Sequence, residues 1–134
     1  MSFLSTLSPH AHWLLRISIA SVFIYHGVGK FPNLENMSEM LGLPVFIVLL
    51  VALAETVGGL LVLVSGFIKD PVKNGLGTRL GALMNIPVII GAIVMVHWGK
   101  WSFVASETHP MGGMEFQVTL LLILLYLFVK GEEA

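Results

Sequence analysis

The chain has 134 residues, 56% of them hydrophobic and 11% charged, with seven Lys and Arg against eight Asp and Glu for a formal net charge of −1. That balance is too apolar for a soluble domain and points to an integral membrane protein, and the lack of any basic run argues against nucleic acid as a partner. Cysteine is absent, so this chain alone builds no disulfide, no Cys-ligated zinc and no Cys-ligated iron–sulfur cluster.

Four apolar segments, each near the roughly 17–25 residues that cross a bilayer as a helix, predict an all-α bundle of four transmembrane helices. The first runs from Trp13 to Val28, with Arg16 near its start and "YHGVGKF" at its exit. No Lys or Arg precedes it and no small-residue cleavage motif follows it, so it is expected to stay as an anchor rather than be removed as a signal peptide. In the following "NLENMSEMLG", Leu34, Met37 and Leu41 recur at helical spacing, as in a short amphipathic helix lying on the outer surface and able to cap what lies beneath.

The second span runs from Pro44 to Phe67 and carries Glu55 near its middle, followed by Gly58 and Gly59. "GLGTRLG" has Gly-x-Gly spacing but precedes an apolar span instead of following a strand, so it reads as a tight helix entrance and not a nucleotide loop. The third span, Leu76 to Trp98, contains Pro87, which should kink it and free the carbonyl of Leu83, with Asn85 placed to compensate. It ends in "VHWGKW", and the next connection, "GKWSFVASETHPMGG", adds Glu107 and His109, a loop histidine expected to face solvent. The fourth span, Met114 to Val129, opens on Glu115 and Gln117. Connections this short, each with Pro and Gly, leave room for one domain over residues 1–134.

Of the seven basic residues, Arg16, Lys69, Lys73, Arg79 and Lys130 fall on one side and Lys30 and Lys100 on the other, which puts both termini and the central connection in the cytoplasm. The chain then reads as two in-out-in hairpins in the inner (cytoplasmic) membrane, with His26, Lys30, His97, Lys100, Glu107, His109 and Glu115 gathered at the outer face. His26 with Lys30 and His97 with Lys100 end equivalent spans, and Glu55 and Glu115 recur on the descending ones at different depths, so the internal repeat is weak.

A carboxylate at mid-span costs about 2.5–3.5 kcal/mol to insert, so Glu55 needs a partner or a proton. Arg16 and Arg79 are the candidate structural ion-pair partners; the alternative roles are an interhelical lock or a place on a ligand or proton pathway. The His/Lys clusters have two readings: anchors at headgroup depth within an aromatic belt of Tyr25, Trp98 and Trp101, or a polar rim facing inward over an apolar cavity. Such a rim, with Glu115 and Gln117 opposite, suits a quinone, whose oxygens take hydrogen bonds and whose reduced form releases protons. His26 and His97 as haem ligands is disfavoured by the flanking lysines, and the Met spacing does not demand copper, so no metal site is assigned and no covalent cofactor is expected.

Taken together, "LLRISIASVFIYHGVGKF", "LPVFIVLLVALAETVGGLLVLVSGF", "TRLGALMN" and "GGMEFQVTLLLILLYLF" resemble the DoxX family of small bacterial and archaeal membrane proteins over nearly the whole chain. The family's early Arg, His-Gly-x-x-Lys exit, Ala-Glu-x-x-Gly-Gly, Thr-Arg and Gly-Gly-x-Glu-Phe features fall here on Arg16, on His26, Gly27 and Lys30, on Glu55, Gly58 and Gly59, on Arg79, and on Gly112, Gly113 and Glu115. The resemblance implies a four-helix fold and association with quinone-linked respiratory or thiosulfate-oxidising complexes, and it speaks for the fold more strongly than for an activity. The expectation is thus a membrane subunit of, or accessory to, a quinone-coupled oxidoreductase, with Glu55, His26, Lys30, His97, Lys100 and Glu115 contacting quinone or protons and electrons supplied by a partner redox subunit. The competing class is a non-catalytic scaffold within a larger membrane complex. A small-solute carrier is disfavoured because four spans enclose little path.

Overall fold

The computed structural model describes residues 2–68 and 75–133, and the described residues are all-helical, with no strand among them. Two of the basic residues behind the expected orientation, Lys69 and Lys73, lie outside the described residues. A short helix α1 (Phe3–Leu7), capped by the Ser2 hydroxyl accepting from the Ser5 N–H, leads into α2 (His12–Lys30). After a tight turn at Phe31–Asn33 comes α3 (Leu34–Leu41), then α4 (Val45–Val64), α5 (Leu76–Ala92) and α6 (Glu115–Lys130).

Three helical stretches among the described residues are long and apolar enough to cross a bilayer: His12–Leu41, Val45–Phe67 and Leu76–His97. The fourth expected span is helical, but α6 has only 16 residues. At about 1.5 Å per residue it reaches about 24 Å, short of the roughly 30 Å hydrocarbon thickness.

The amphipathic helix foreseen after the first span is α3. Gly42 ends it in the left-handed conformation (φ +67°), the Leu43 N–H returns to the Ser38 carbonyl at 3.1 Å, and Pro44 then starts α4.

Helix α2 packs against α4, α4 against α5 and α5 against α6, and a lighter contact brings α6 back to α2. Ile19 and Phe23 of α2, Val62 of α4, Ala82 and Ile89 of α5, and Leu120, Leu124 and Leu127 of α6 form the buried core. Lipid tails are as apolar as these side chains, so burial alone gives little drive for helix association and close van der Waals packing must supply it. Small residues make that possible between α4 and α5: a Cβ on Gly81 would lie 2.6 Å from the Gly58 carbonyl oxygen, and one on Gly58 would lie 2.5 Å from Nδ2 of Asn85. At the α2–α4 crossing, a Cβ on Gly27 would run into the Thr56 hydroxyl.

Pro87 lies inside a helix that continues unbroken to Ala92. Asn85 does not answer the carbonyl its ring frees, as the sequence suggested; its amide nitrogen contacts the Gly81 carbonyl at 3.5 Å, toward the α4 interface where Gly58 makes room for it. Beyond Ala92 the helix widens into a π-helical turn, Ile93–His97, which ends the third span and sets the direction of His97.

Candidate functional site

The bundle has two polar levels, one at each end of α2. At the end shared by the start of α2 and the start of α5, the Arg16 guanidinium is buried and donates to the Val62 carbonyl and the Thr78 hydroxyl, both at 2.8 Å, while its Nε donates to Nδ1 of His12 at 2.9 Å. Trp13 packs against Phe67 alongside it, the rings tilted by 56° with centroids 4.6 Å apart. Arg79, one helical position beyond Thr78, reaches the Val129 carbonyl at 3.1 Å and so fastens the start of α5 to the end of α6.

Neither arginine is the partner of Glu55. Lys30 is, with Nζ 2.6 Å from Oε1 of Glu55 and a second, longer hydrogen bond of 3.3 Å to the His26 carbonyl. The correction has a simple geometric cause. Arg16 and Lys30 sit at opposite ends of α2, about 21 Å apart along the axis at 1.5 Å per residue, and Glu55 is on the Lys30 side of the middle. Lys30 emerges at the helix end, but its four-carbon stem lets the ammonium bend back into the bundle to the depth of the carboxylate. Only 16% of the Lys30 side chain and 5% of that of Glu55 is exposed, so the two charges meet largely out of solvent.

Above this ion pair lies a cavity of about 510 Å³, walled by α2, α3, α4, α5 with its π-turn, and α6. Its walls are mostly apolar, Phe23, Val51, Ile89, Met95, Phe116 and Leu120 among them, and its polar groups are His26, Lys30, Glu55, His97 and Gln117. Met37, Met40 and Leu41 of α3 form one side, so the amphipathic helix does cover the polar end of the bundle. The size and the pattern of a few converging polar groups on an apolar surface are those of a small-molecule site.

His97 is the most constrained of these groups. It is 6% exposed, and its Nδ1 lies 2.9 Å from the Gly112 carbonyl. A carbonyl oxygen only accepts, so Nδ1 carries a proton, and in the neutral form of the ring the lone pair is on Nε2. His26, by contrast, lies on an exposed face of α2 with its ring edge-on to Tyr25 at 5.5 Å, and borders the cavity from its margin. Gln117 keeps its side-chain oxygen buried with no hydrogen-bond donor among the described residues.

Lys100 and Glu115, the other two expected rim residues, do not line the cavity. Lys100 belongs to the connection between the π-turn and α6, and Glu115 is the first residue of α6; the connection is tied down by the Gly113 N–H to the Ser102 carbonyl (2.7 Å), Met114 N–H to Lys100 (2.8 Å) and Glu115 N–H to Trp101 (2.9 Å). The Glu115 carboxylate accepts from the Phe103 N–H at 3.3 Å, which fastens the connection to the start of α6. The pair of glycines ahead of it is needed here: Gly112 has φ +88°, and a Cβ on Gly112 or Gly113 would strike the carbonyl of Phe103 or of Lys100. His109, expected to face solvent, is half-buried and braces the same connection, its Nε2 donating to the Trp98 carbonyl at 2.6 Å and its Nδ1 accepting from the Thr108 hydroxyl at 3.0 Å. Glu107 is exposed.

Sequence reasoning missed the Lys30–Glu55 pairing and the cavity role of the methionines. The depth assigned to Lys30 from its position in the chain hid the first. The second had a visible signal in the helical spacing of Leu34, Met37 and Leu41, which needed only a neighbour to face.

Comparison with known proteins agrees with this picture. The DoxX family model matches residues 11–98, which includes His26, Lys30, Glu55 and His97. The chain is 32% identical over 122 residues to "Putative oxidoreductase CatD" of Bacillus subtilis (strain 168), covering 89% of this chain and 78% of that protein. No solved structure matches. A multi-pass membrane protein with apolar helices and this match over its first three spans belongs to the DoxX family.

Proposed function

We propose that the chain is a membrane subunit of, or accessory to, a quinone-coupled oxidoreductase, and that the cavity holds the head group of a quinone or quinol. The observation that carries the reading is the cavity itself, in which Lys30, Glu55, His97 and Gln117 converge on a space of about 510 Å³ with apolar walls. A quinone with an isoprenoid tail needs that combination: an apolar slot for a flat ring, hydrogen-bonding groups for two oxygens, and a lipid-facing exit for the tail. The Lys30–Glu55 pair gives a place where a proton released from, or taken up by, a bound oxygen can be held close to the ring. In this reading α6 is a fourth, short span, residues 1–134 form one domain of the inner membrane, and the termini are cytoplasmic, so the cavity opens near the outer face. Electrons reach or leave the head group through a partner redox subunit, and no haem takes part. The named relative supports an oxidoreductase connection through its description alone.

The test is extraction and binding. Protein purified in mild detergent from quinone-replete membranes should carry a lipid-soluble quinone detectable by mass spectrometry of the organic extract. Delipidated protein should bind a short-chain benzoquinone or its quinol, and Glu55→Gln should weaken binding tenfold or more. A scaffold without a ligand predicts an extract containing phospholipid alone and no saturable binding of either form, and that result would remove the proposal. An absorption spectrum of the same preparation with a Soret band would overturn the haem-free part of it.

A further inference from the structure

We propose that the cavity prefers a ligand that brings hydroxyl hydrogens, the reduced quinol form of the head group, over the same ring carrying carbonyl oxygens, and that Nε2 of His97 is the specificity-determining acceptor. The inference rests on the quinone-class reading of the cavity and adds the redox state that the cavity selects.

Donors and acceptors in the cavity are unequal in number. The Gly112 carbonyl, 2.9 Å from Nδ1 of His97, fixes a proton on that nitrogen, so the neutral ring presents its lone pair on Nε2, which meets no donor among the described residues. The tautomer is held by a rigid support: the Gly112 N–H donates to the His109 carbonyl at 2.9 Å and the next N–H, of Gly113, to the Ser102 carbonyl at 2.7 Å. Gln117 adds a buried amide oxygen without a donor. The Glu55 carboxylate oxygens, in the pair with Lys30, add acceptors. The opposing donor is the Lys30 ammonium, which is ion-paired with Glu55 and donates to the His26 carbonyl. His26 at the margin can present a proton or a lone pair according to its tautomer, so it does not discriminate.

A quinone carbonyl set against this group of acceptors would face lone pair with lone pair, whereas a quinol hydroxyl completes a hydrogen bond. Sites built to take a hydroxyl proton reject the analogue that lacks it, because their own polar groups are then left unpaired.

The experiment measures binding of a decyl-chain benzoquinol and its matched benzoquinone, under anaerobic conditions, to the detergent-purified full chain by isothermal titration calorimetry. The quinol should bind about tenfold or more tightly than the quinone. His97→Phe, which keeps an aromatic ring but removes Nε2, should bring the ratio close to one, and Gln117→Leu should reduce it in part. Nitrogen NMR of protein labelled in its histidines should show His97 protonated at Nδ1 and bare at Nε2, which decides the tautomer even if His97→Phe does not fold. Quinone binding as tight as quinol, a preference that survives in folded His97→Phe, or a proton on Nε2 overturns the inference. If both forms bind equally, the ligand-class reading stands and the selectivity falls. If neither binds, both fall together.

Discussion

Replacing Lys30 by Met should destabilise the protein by about 3–5 kcal/mol, because it strands the Glu55 carboxylate inside the bundle without a cation. The magnitude follows from the geometry. At 2.6 Å and an effective dielectric of about 20, the attraction between Nζ and Oε1 is about 6 kcal/mol, and it is set against several kcal/mol of desolvation for each ion. The pair is therefore close to neutral against an apolar pair of the same size, while either charge alone is a net cost. It follows that the double variant Lys30→Met/Glu55→Met should return to within about 1 kcal/mol of the native protein, a coupling energy far above that of sites not in contact. Unfolding in detergent by SDS titration, followed by tryptophan fluorescence, gives all four corners of the cycle. The same cycle with Arg16 in place of Lys30 should be additive within about 0.5 kcal/mol, since Arg16 is bonded to Val62 and Thr78 at the other end of α2. Additive Lys30 and Glu55 effects, or a large coupling between Arg16 and Glu55, would refute the assignment of partners.

Other consequences can be checked with the same preparation. Gly81→Ala puts a methyl 2.6 Å from the Gly58 carbonyl and should cost about 1–3 kcal/mol by forcing α4 and α5 apart, whereas Gly29→Ala meets nothing within 4 Å and should be neutral or slightly stabilising. His109→Ala removes two hydrogen bonds that brace the connection before α6, so limited proteolysis should cut within residues 98–114 faster than in the native chain. The chain has no cysteine, so single replacements Ser2→Cys and Ser106→Cys report topology directly: in intact cells a membrane-impermeant maleimide should label the second and not the first. Labelling of Ser2→Cys would reverse the proposed orientation.

The all-helical class and the helices themselves were legible, because apolar runs of span length have few other outcomes. So was the amphipathic character of α3. The Glu55 partner was not, since hydropathy gives each residue a depth on its own helix but says nothing of where a long flexible side chain delivers its charge. Lys30 at a helix end and Glu55 in mid-span look separated in the sequence, yet they are in contact. The roles of Lys100, His109 and Glu115 were hidden for a different reason. They are set by hydrogen bonds to the backbone of an irregular connection, and the one sequence signal for a tight approach there was the pair Gly112 and Gly113.

The two similar motifs, "HGVGK" and "HWGK", show how little of a site is fixed by residue type and spacing. In the first, α2 stays helical through Lys30, so the lysine remains beside its histidine and its ammonium can turn inward to Glu55. In the second, the π-turn ends at His97, Trp98 turns to an extended conformation (φ −61°, ψ 143°) and Gly99 takes φ +93°, so Lys100 is carried away into the connection. One motif therefore supplies the cavity with a cation and the other with an imidazole whose Nδ1 is held by the Gly112 carbonyl. Two identical His/Lys pairs would have placed two ammonium groups over one carboxylate and repelled each other in a poorly solvated space. The asymmetry leaves one balanced ion pair below the cavity and an open lone pair on Nε2 of His97 at its side. That division of roles gives a cavity in an apolar bundle charge balance without filling it.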